Sequence, residues 1–240
     1  MARIGLLVPS ANTVVEPEFW HMAPPGITLH AARMRNSTCD VEDSIRMLDH
    51  VERASYELGS ANVNVIAFAC TASSFVKGAD GERDLEAMIE RASGATAVTT
   101  SGAVVAALKS LGARRLAMYT PYPAELNRRE VTFLRSHGLD VVQERGLGIA
   151  DAVAIADVSA AQLLEFVHDA PPPDEADTLF VSCTNLATLD SIAALEREFD
   201  RPVISSNTAT FWRLLQTLDV EPSEQAPGRL FARPAVTAAG

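Results

Sequence analysis

At 240 residues the chain is long enough for one large or two smaller α/β domains, and 48% hydrophobic with 21% charged residues is ordinary for a globular protein with an ample core. A net charge of −11 excludes general attraction to nucleic acid or to acidic membranes, so no partner of either kind is expected. The three Cys are an odd number, too few for a disulfide scaffold and without CxxC spacing, which points to a reducing cytoplasm.

The opening MARIGLLVPSANTVVE carries one Arg and an apolar stretch of strand length, neither a secretory signal nor a spanning helix. It gives a first strand at 3–8, followed by Ser10-Ala-Asn12-Thr13. A second strand at 27–33 runs into Arg33-Met34-Arg35, read as solvated surface charge. Cys39 then sits just before a helix at 41–59, with Asp40 as its N-cap, and is expected to be incidental. The run 63–69 is apolar at nearly every position and is placed centrally in a parallel sheet. Beyond it come a helix at 81–93, a strand at 95–99, a helix at 101–111, a strand at 115–119 and a helix at 123–137. A strand at 139–143 and a helix at 159–168 lead to Pro171-Pro-Pro-Asp-Glu-Ala-Asp, a loop because three prolines fix φ and remove donors. A second central strand at 178–182, a helix at 188–199, a strand at 202–205 and a helix at 207–218 complete the alternation. Strands alternating with amphipathic helices specify an α/β fold with parallel sheets.

Two cysteines share one local context. Cys70 ends an apolar strand and opens Cys-Thr-Ala-Ser-Ser-Phe, and Cys183 does the same with Cys-Thr-Asn-Leu-Ala-Thr. The carboxyl ends of parallel strands are where such sheets bind ligands, and a following helix N-terminus favours a thiolate. The segment from Ala97 (AVTTSGAVVAALKSLG) and that from Pro202 (PVISSNTATFWRLLQTLD) are also alike, each a strand, a hydroxyl pair and an apolar helix. Two lobes related by a pseudo-twofold axis are expected, with a small-molecule site between them. A lone Cys at a strand end is usually filler, and the match between the two is what argues for function.

Around the thiols, Asn12 and Ser10 stand at the edge of the first strand, where amide and hydroxyl groups orient a carboxylate without formal charge. Turn and cap preferences alone also account for them. Thr71, Ser73, Thr184 and Asn185 offer oxyanion donors, and Tyr122 in Tyr-Thr-Pro-Tyr-Pro offers a phenol to a carboxylate or developing enolate. The five His have no metal-ligand spacing, and neither a Walker A sequence, a G-x-G-x-x-G after the first strand nor a G-x-S-x-G elbow occurs. No cofactor and no metal are expected.

IGLLVPSANTVVEPEF, CTASSF, SCTNL, TTSGAVVAALKSLGARRLAMYTPY and PGRLFARPAVTAA together resemble the maleate cis–trans isomerase and arylmalonate decarboxylase branch of the aspartate/glutamate racemase superfamily. The ectoine-utilisation isomerase-like proteins are close relatives of that branch. The resemblance spans nearly the whole chain. It implies two Rossmann-like lobes (1–97 plus 207–240 carrying Cys70, and 98–206 carrying Cys183), no cofactor, a homodimer or higher homo-oligomer, and a small dicarboxylate clasped between the lobes. It further implies that Cys70 adds to C2 of maleate, that Cys183 handles the proton, and that Asn12 and Tyr122 orient carboxylates. The chain departs from the isomerases at Ala150-Asp151-Ala152, where they carry an Asn in place of Ala152. Thr71-Ala-Ser-Ser-Phe is closer to the decarboxylases, which have Gly in place of Cys70. A two-thiol racemase, a decarboxylase and a non-catalytic small-acid binder remain as alternatives to the isomerase.

Overall fold

The computed structural model describes residues 1–232; residues 233–240, expected in the first lobe, lie outside the described residues. Each half of the chain builds a four-stranded parallel sheet. In the first, β1 (Ala2–Pro9), β2 (Ile27–Met34), β3 (Val65–Phe68) and β4 (Thr96–Thr99) stand in the order β2-β1-β3-β4. In the second, β5 (Arg115–Thr120), β6 (Asp140–Gly146), β7 (Thr178–Val181) and β8 (Val203–Ser205) repeat that order as β6-β5-β7-β8. All eight strands coincide with those expected from the sequence, although β6 runs on into the polar Glu144-Arg145-Gly146. Every residue of β3 and of β7 is buried, as expected for central strands covered on both faces.

The helices are α1 (Val15–Met22), α2 (Val41–Arg46), α3 (Val51–Gly59), α4 (Thr71–Phe75), α5 (Gly78–Ser93), α6 (Thr100–Ser110), α7 (Ala124–Ser136), α8 (Ala160–His168), α9 (Leu189–Phe199) and α10 (Ser206–Leu218). Three differ from expectation. The single helix anticipated at 41–59 is broken by a 3-10 turn at Met47–His50, flanked by the fully buried Met47 and Val51. Neither α1 nor α4 is among the helices assigned along the chain, although a helix N-terminus was expected after Cys70. Pro17 falls in the first turn of α1, where its missing N–H has no helical partner to lose. The five residues of α4 are too few for a periodic signal. Local chemistry sets other starts: Ser205 and Thr208 form a capping box for α10, as Ser159 and Gln162 do for α8.

The two matched segments cross over. After β4 the chain enters α6, whose Val104, Val105, Ala107 and Leu108 pack in the core of the second sheet. After β8 it enters α10, whose Phe211, Leu214 and Leu215 pack under the first sheet with Ile4, Leu6 and Val65. Phe211 meets Phe19 of α1 edge to face, with ring centroids 5.1 Å apart. Where α6 and α10 face each other, the Thr210 hydroxyl donates to Thr100 Oγ1 over 3.2 Å. Each sheet is thus completed by a helix from the other half.

Candidate active site

Strand order determines where the chemistry collects. In an order such as β2-β1-β3-β4 the connections leave β1 and β3 in opposite directions, which opens a crevice at their carboxyl ends. Asn12 follows β1 and Cys70 follows β3; in the second sheet Tyr122 follows β5 and Cys183 follows β7. The two crevices meet. These four side chains, with Thr71, Thr184 and Asn185, line one cavity of about 40 Å³. That is room for roughly three waters. No Arg, Lys or His lines it, so an anion held there rests on neutral donors.

Each polar wall residue is fixed by its own bonds. Asn12 Oδ1 accepts from the N–H groups of Val14 and Val15 (2.9 and 3.0 Å), so the amide oxygen steadies the start of α1. Its Nδ2 donates to Thr184 Oγ1 over 3.0 Å, which leaves a second amide hydrogen for a ligand. The Thr184 hydroxyl in turn donates to Ala69 O (3.0 Å), tying one thiol-bearing turn to the other half of the chain. Arg33 is exposed, as expected, and from there donates to Asn12 O over 2.7 Å and pairs with Glu16. It braces the turn behind Asn12. The capping and ligand readings of Asn12 are therefore compatible, one for each end of its amide.

The thiols sit in unlike settings. Cys70 is the N-cap residue of the short α4, without a side-chain capping bond, and its Sγ sits by the backbone N–H groups of Ala72 and Ser73. Its thiol also lies 3.4 Å from Ser73 Oγ. Burial pushes the Cys70 thiol up, and the Ser73 and Ala72 groups oppose that rise. The expected helix N-terminus holds for Cys70 but not for Cys183, because α9 begins only at Leu189. Cys183 instead occupies a left-handed turn with φ 103°, a conformation that costs a non-glycine residue about 1–3 kcal/mol. Burial pushes its thiol up to about 12, against hydrogen bonds from the Tyr122 hydroxyl and the Asn185 N–H. At both thiols burial thus outweighs the local donors, against the expectation that a helix N-terminus favours the anion.

Four further placements differ from the sequence reading. Ser10 does not reach the cavity: it is exposed, and its hydroxyl bonds Asn36 O and N (both 3.0 Å), joining the end of β1 to the loop after β2. Ser73 is absent from the cavity wall and acts on Cys70 from behind. Asn185 lines the cavity, but its amide is already used: Oδ1 accepts from Thr13 N (2.9 Å) and Nδ2 donates to Ala152 O (2.8 Å). Cys39, expected to be incidental, lies at the site. The loop after β2 folds back over the site, Thr38 pairs with Asp151, and the Cys39 N–H donates to Ala150 O over 2.8 Å. This places the third thiol on the cavity wall, where burial and the neighbouring Cys183 and Cys70 push it far up.

The loop is anchored by Asp43. Burial alone would raise that carboxyl, but the N–H groups of Ser37 and Thr38 and the Arg46 guanidinium hold it down at about 2. The anchor is thus ionised throughout the neutral range. The signal for Cys39 was its place, just past the carboxyl end of β2 on the same sheet edge as Asn12 and Cys70. We expect iodoacetamide at pH 8 to alkylate Cys70 ahead of Cys183 and Cys39, as peptide mapping by mass spectrometry would show. Faster labelling of Cys39 would contradict its burial under the loop. Among the described residues, no group of three His, Cys, Asp or Glu is placed to hold a metal ion.

Relatives carry the same architecture. A family model described as arylmalonate decarboxylase matches residues 4–231. Maleate isomerase of Nocardia farcinica is 32% identical over 98% of this chain and 98% of its own length. That of Pseudomonas putida is 30% identical over 96% and 97%. A solved cysteine-to-serine variant of the Nocardia farcinica maleate cis–trans isomerase, bearing a covalently bound succinylcysteine intermediate, superposes with a TM-score of 0.89. It is 30% identical and covers 96% of this chain and 98% of that one. With a match over nearly all its length and the paired-sheet architecture in common, the chain belongs to the arylmalonate decarboxylase family, alongside the maleate isomerases.

Proposed function

We propose that the protein is a cofactor-independent cis–trans isomerase of maleate or a close dicarboxylate, working through a Cys70 thioether. The observation that carries this reading is the pair of thiols on one small cavity without a cationic side chain. Cys70 is the nucleophile: its proton passes to solvent water, and the resulting thiolate is stabilised by the Ala72 and Ser73 N–H groups and the Ser73 hydroxyl. Its sulfur bonds to C2 of maleate, the C2=C3 π pair moves to C3, and Cys183 delivers its proton there. The product is a succinyl thioether whose C2–C3 bond rotates freely. Cys183, now a thiolate steadied by the Tyr122 hydroxyl, takes a proton back from C3 as the C–S bond breaks, and fumarate leaves. A thiol held near 12 suits the acid of the first half and the base of the second. The remaining Asn12 N–H orients a substrate carboxylate, with Thr71, Thr184 and the turn fixed by Asn185 completing that wall.

The lobes of this reading are 1–97 plus 207–240 and 98–206, closing on the dicarboxylate from two sides. Three free thiols suit a reducing cytoplasm, and a homodimer or higher oligomer is proposed as in the family resemblance. No helix among the described residues is long and apolar enough to cross a membrane. Decarboxylation of an arylmalonate-like acid by Cys183 is the second reading, favoured by the apolar wall of Pro9, Ala152 and Ile155 on the cavity. Proton NMR in D2O decides between them. Purified protein incubated with maleate is expected to give the fumarate singlet. Loss of carbon dioxide from phenylmalonate, with maleate untouched, would replace the isomerase reading by the decarboxylase one.

A further inference from the structure

One buried carboxyl plays no part in the mechanism above. Glu130 lies on α7 in the stripe Leu126, Glu130, Phe133 and Leu134, where its neighbours are apolar core residues, and it is only 2% exposed. Its Oε1 accepts the Ser182 hydroxyl over 2.7 Å, while its Oε2 is buried without a hydrogen-bond partner. Ser182 directly precedes Cys183, and its N–H donates to Tyr119 O over 2.8 Å. On the far side, the Cys183 N–H donates to Ser206 Oγ (3.0 Å), and that oxygen also receives the Thr71 hydroxyl (2.9 Å). The strained turn at Cys183 is thus held from two directions, and one hold ends in a carboxyl with an orphaned oxygen.

We propose that Glu130 is a positioning residue for Cys183: through Ser182 it holds the left-handed turn that presents this thiol to the cavity, and its protonation state sets how readily the thiol parts with its proton. An ionised carboxylate with one oxygen unpaired is costly in the core, so the neutral acid is the resting form. Burial, with the Glu144 carboxylate of β6 adding to it, raises Glu130 to about 8 against the Ser182 hydrogen bond. The other titratable groups that feel its charge are Cys183, Tyr122 and Cys39, and a negative charge at Glu130 raises all three. Ionising Glu130 therefore makes the Cys183 thiolate harder to form. Below about pH 8 the turn is held by a neutral group; above it, the same hold opposes proton transfer.

The inference deepens the isomerase reading, since it gives Cys183 the proton-transferring role, but alkylation tests it without any turnover. The Glu130→Gln variant keeps an acceptor for Ser182 and cannot ionise. Its kcat should stay within about threefold of wild type at pH 7, with KM unchanged, and the ratio of variant to wild-type kcat should rise at least threefold between pH 7 and pH 9.5. Iodoacetamide labelling of Cys183, mapped by mass spectrometry, should shift to lower pH in the same variant. Ser182→Ala, which removes the hold, should lower kcat about tenfold with KM within twofold. A kcat ratio and a labelling profile that are both flat with pH, or a Ser182→Ala variant with wild-type kcat, would overturn the inference. A labelling shift in a protein inactive on maleate would keep Glu130 in this role and remove the substrate assignment alone.

Discussion

Cys70→Ala and Cys183→Ala are each expected to lower turnover at least about a hundredfold, with the circular dichroism spectrum and melting behaviour close to wild type. Nucleophilic and acid–base groups commonly carry factors of this size, about 2.7 kcal/mol of transition-state stabilisation. The fold should survive because both sulfurs face the cavity and each change removes one atom only, although Cys183 also borders the core of the second sheet and Cys70 that of the first. Cys70 keeps partial exposure, and Ala accepts its extended backbone (φ −143°). Ala at Cys183 inherits the left-handed strain but adds none. Steady-state conversion of maleate, with thermal melts of each variant, measures both halves of the expectation. If either variant retains near-normal turnover, the two-thiol mechanism is wrong. Cys39→Ala is a useful contrast: it only widens the wall under the loop, so a several-fold change in KM is expected, with kcat within about threefold.

Replacing Cys183 by Ser and adding maleate should trap an adduct of maleate mass on Cys70. Serine has no thiol-like acidity, so neither the return of the proton nor the breaking of the C–S bond proceeds at its normal rate. A slow protonation of C3 by solvent then leaves the succinyl thioether stranded. Cys70→Ser should trap nothing, because its hydroxyl is not ionised near neutral pH even beside the Ala72 and Ser73 N–H groups. Intact-protein mass spectrometry with peptide mapping reads the result. An adduct confined to Cys183 in the reverse variant would exchange the two roles. No adduct on either thiol, together with fast α-deuterium exchange of a saturated acid by the wild type, would favour a racemase.

The strands were legible because their signal is local and redundant. The run Val65-Ile-Ala-Phe is apolar at every position, which a two-faced burial requires and a surface helix forbids. The likeness between the stretches after Ala97 and Pro202 also had a physical counterpart, in α6 and α10. What escaped was tertiary. Nothing near Cys39 in sequence says that Thr38 pairs with Asp151, a contact across 113 residues of chain. Asn185 has the composition of a ligand-binding residue, and only its bonds to Thr13 and Ala152 show that the amide is occupied. Glu130 did leave a trace, a carboxyl on the apolar stripe of α7, but its meaning depended on Ser182, 52 residues away. Helix starts behaved in the same way: Ser205 with Thr208 announces α10 locally, whereas α1 begins on the amide oxygen of Asn12.

The crossing of α6 and α10 has a consequence for how the molecule unfolds. Removing α10 would strip Phe211, Leu214 and Leu215 from the core of the first sheet, and removing α6 would do the same to the second. The first sheet would keep only the face where Leu7, Ile66 and Phe68 pack under α3 and α5, so the halves are not independent folding units and should melt in one cooperative transition. Joining Thr100 to Thr210 also means that the contacts which complete the first sheet wait for residues 110 positions later in the chain. A nascent chain ending before Ser206 presents an open apolar groove beneath β1 and β3, and the arrival of α10 is what closes it. The same interlock limits hinge motion between the sheets. Distances among Asn12, Cys70, Tyr122 and Cys183 are therefore set by the packing of both halves at once.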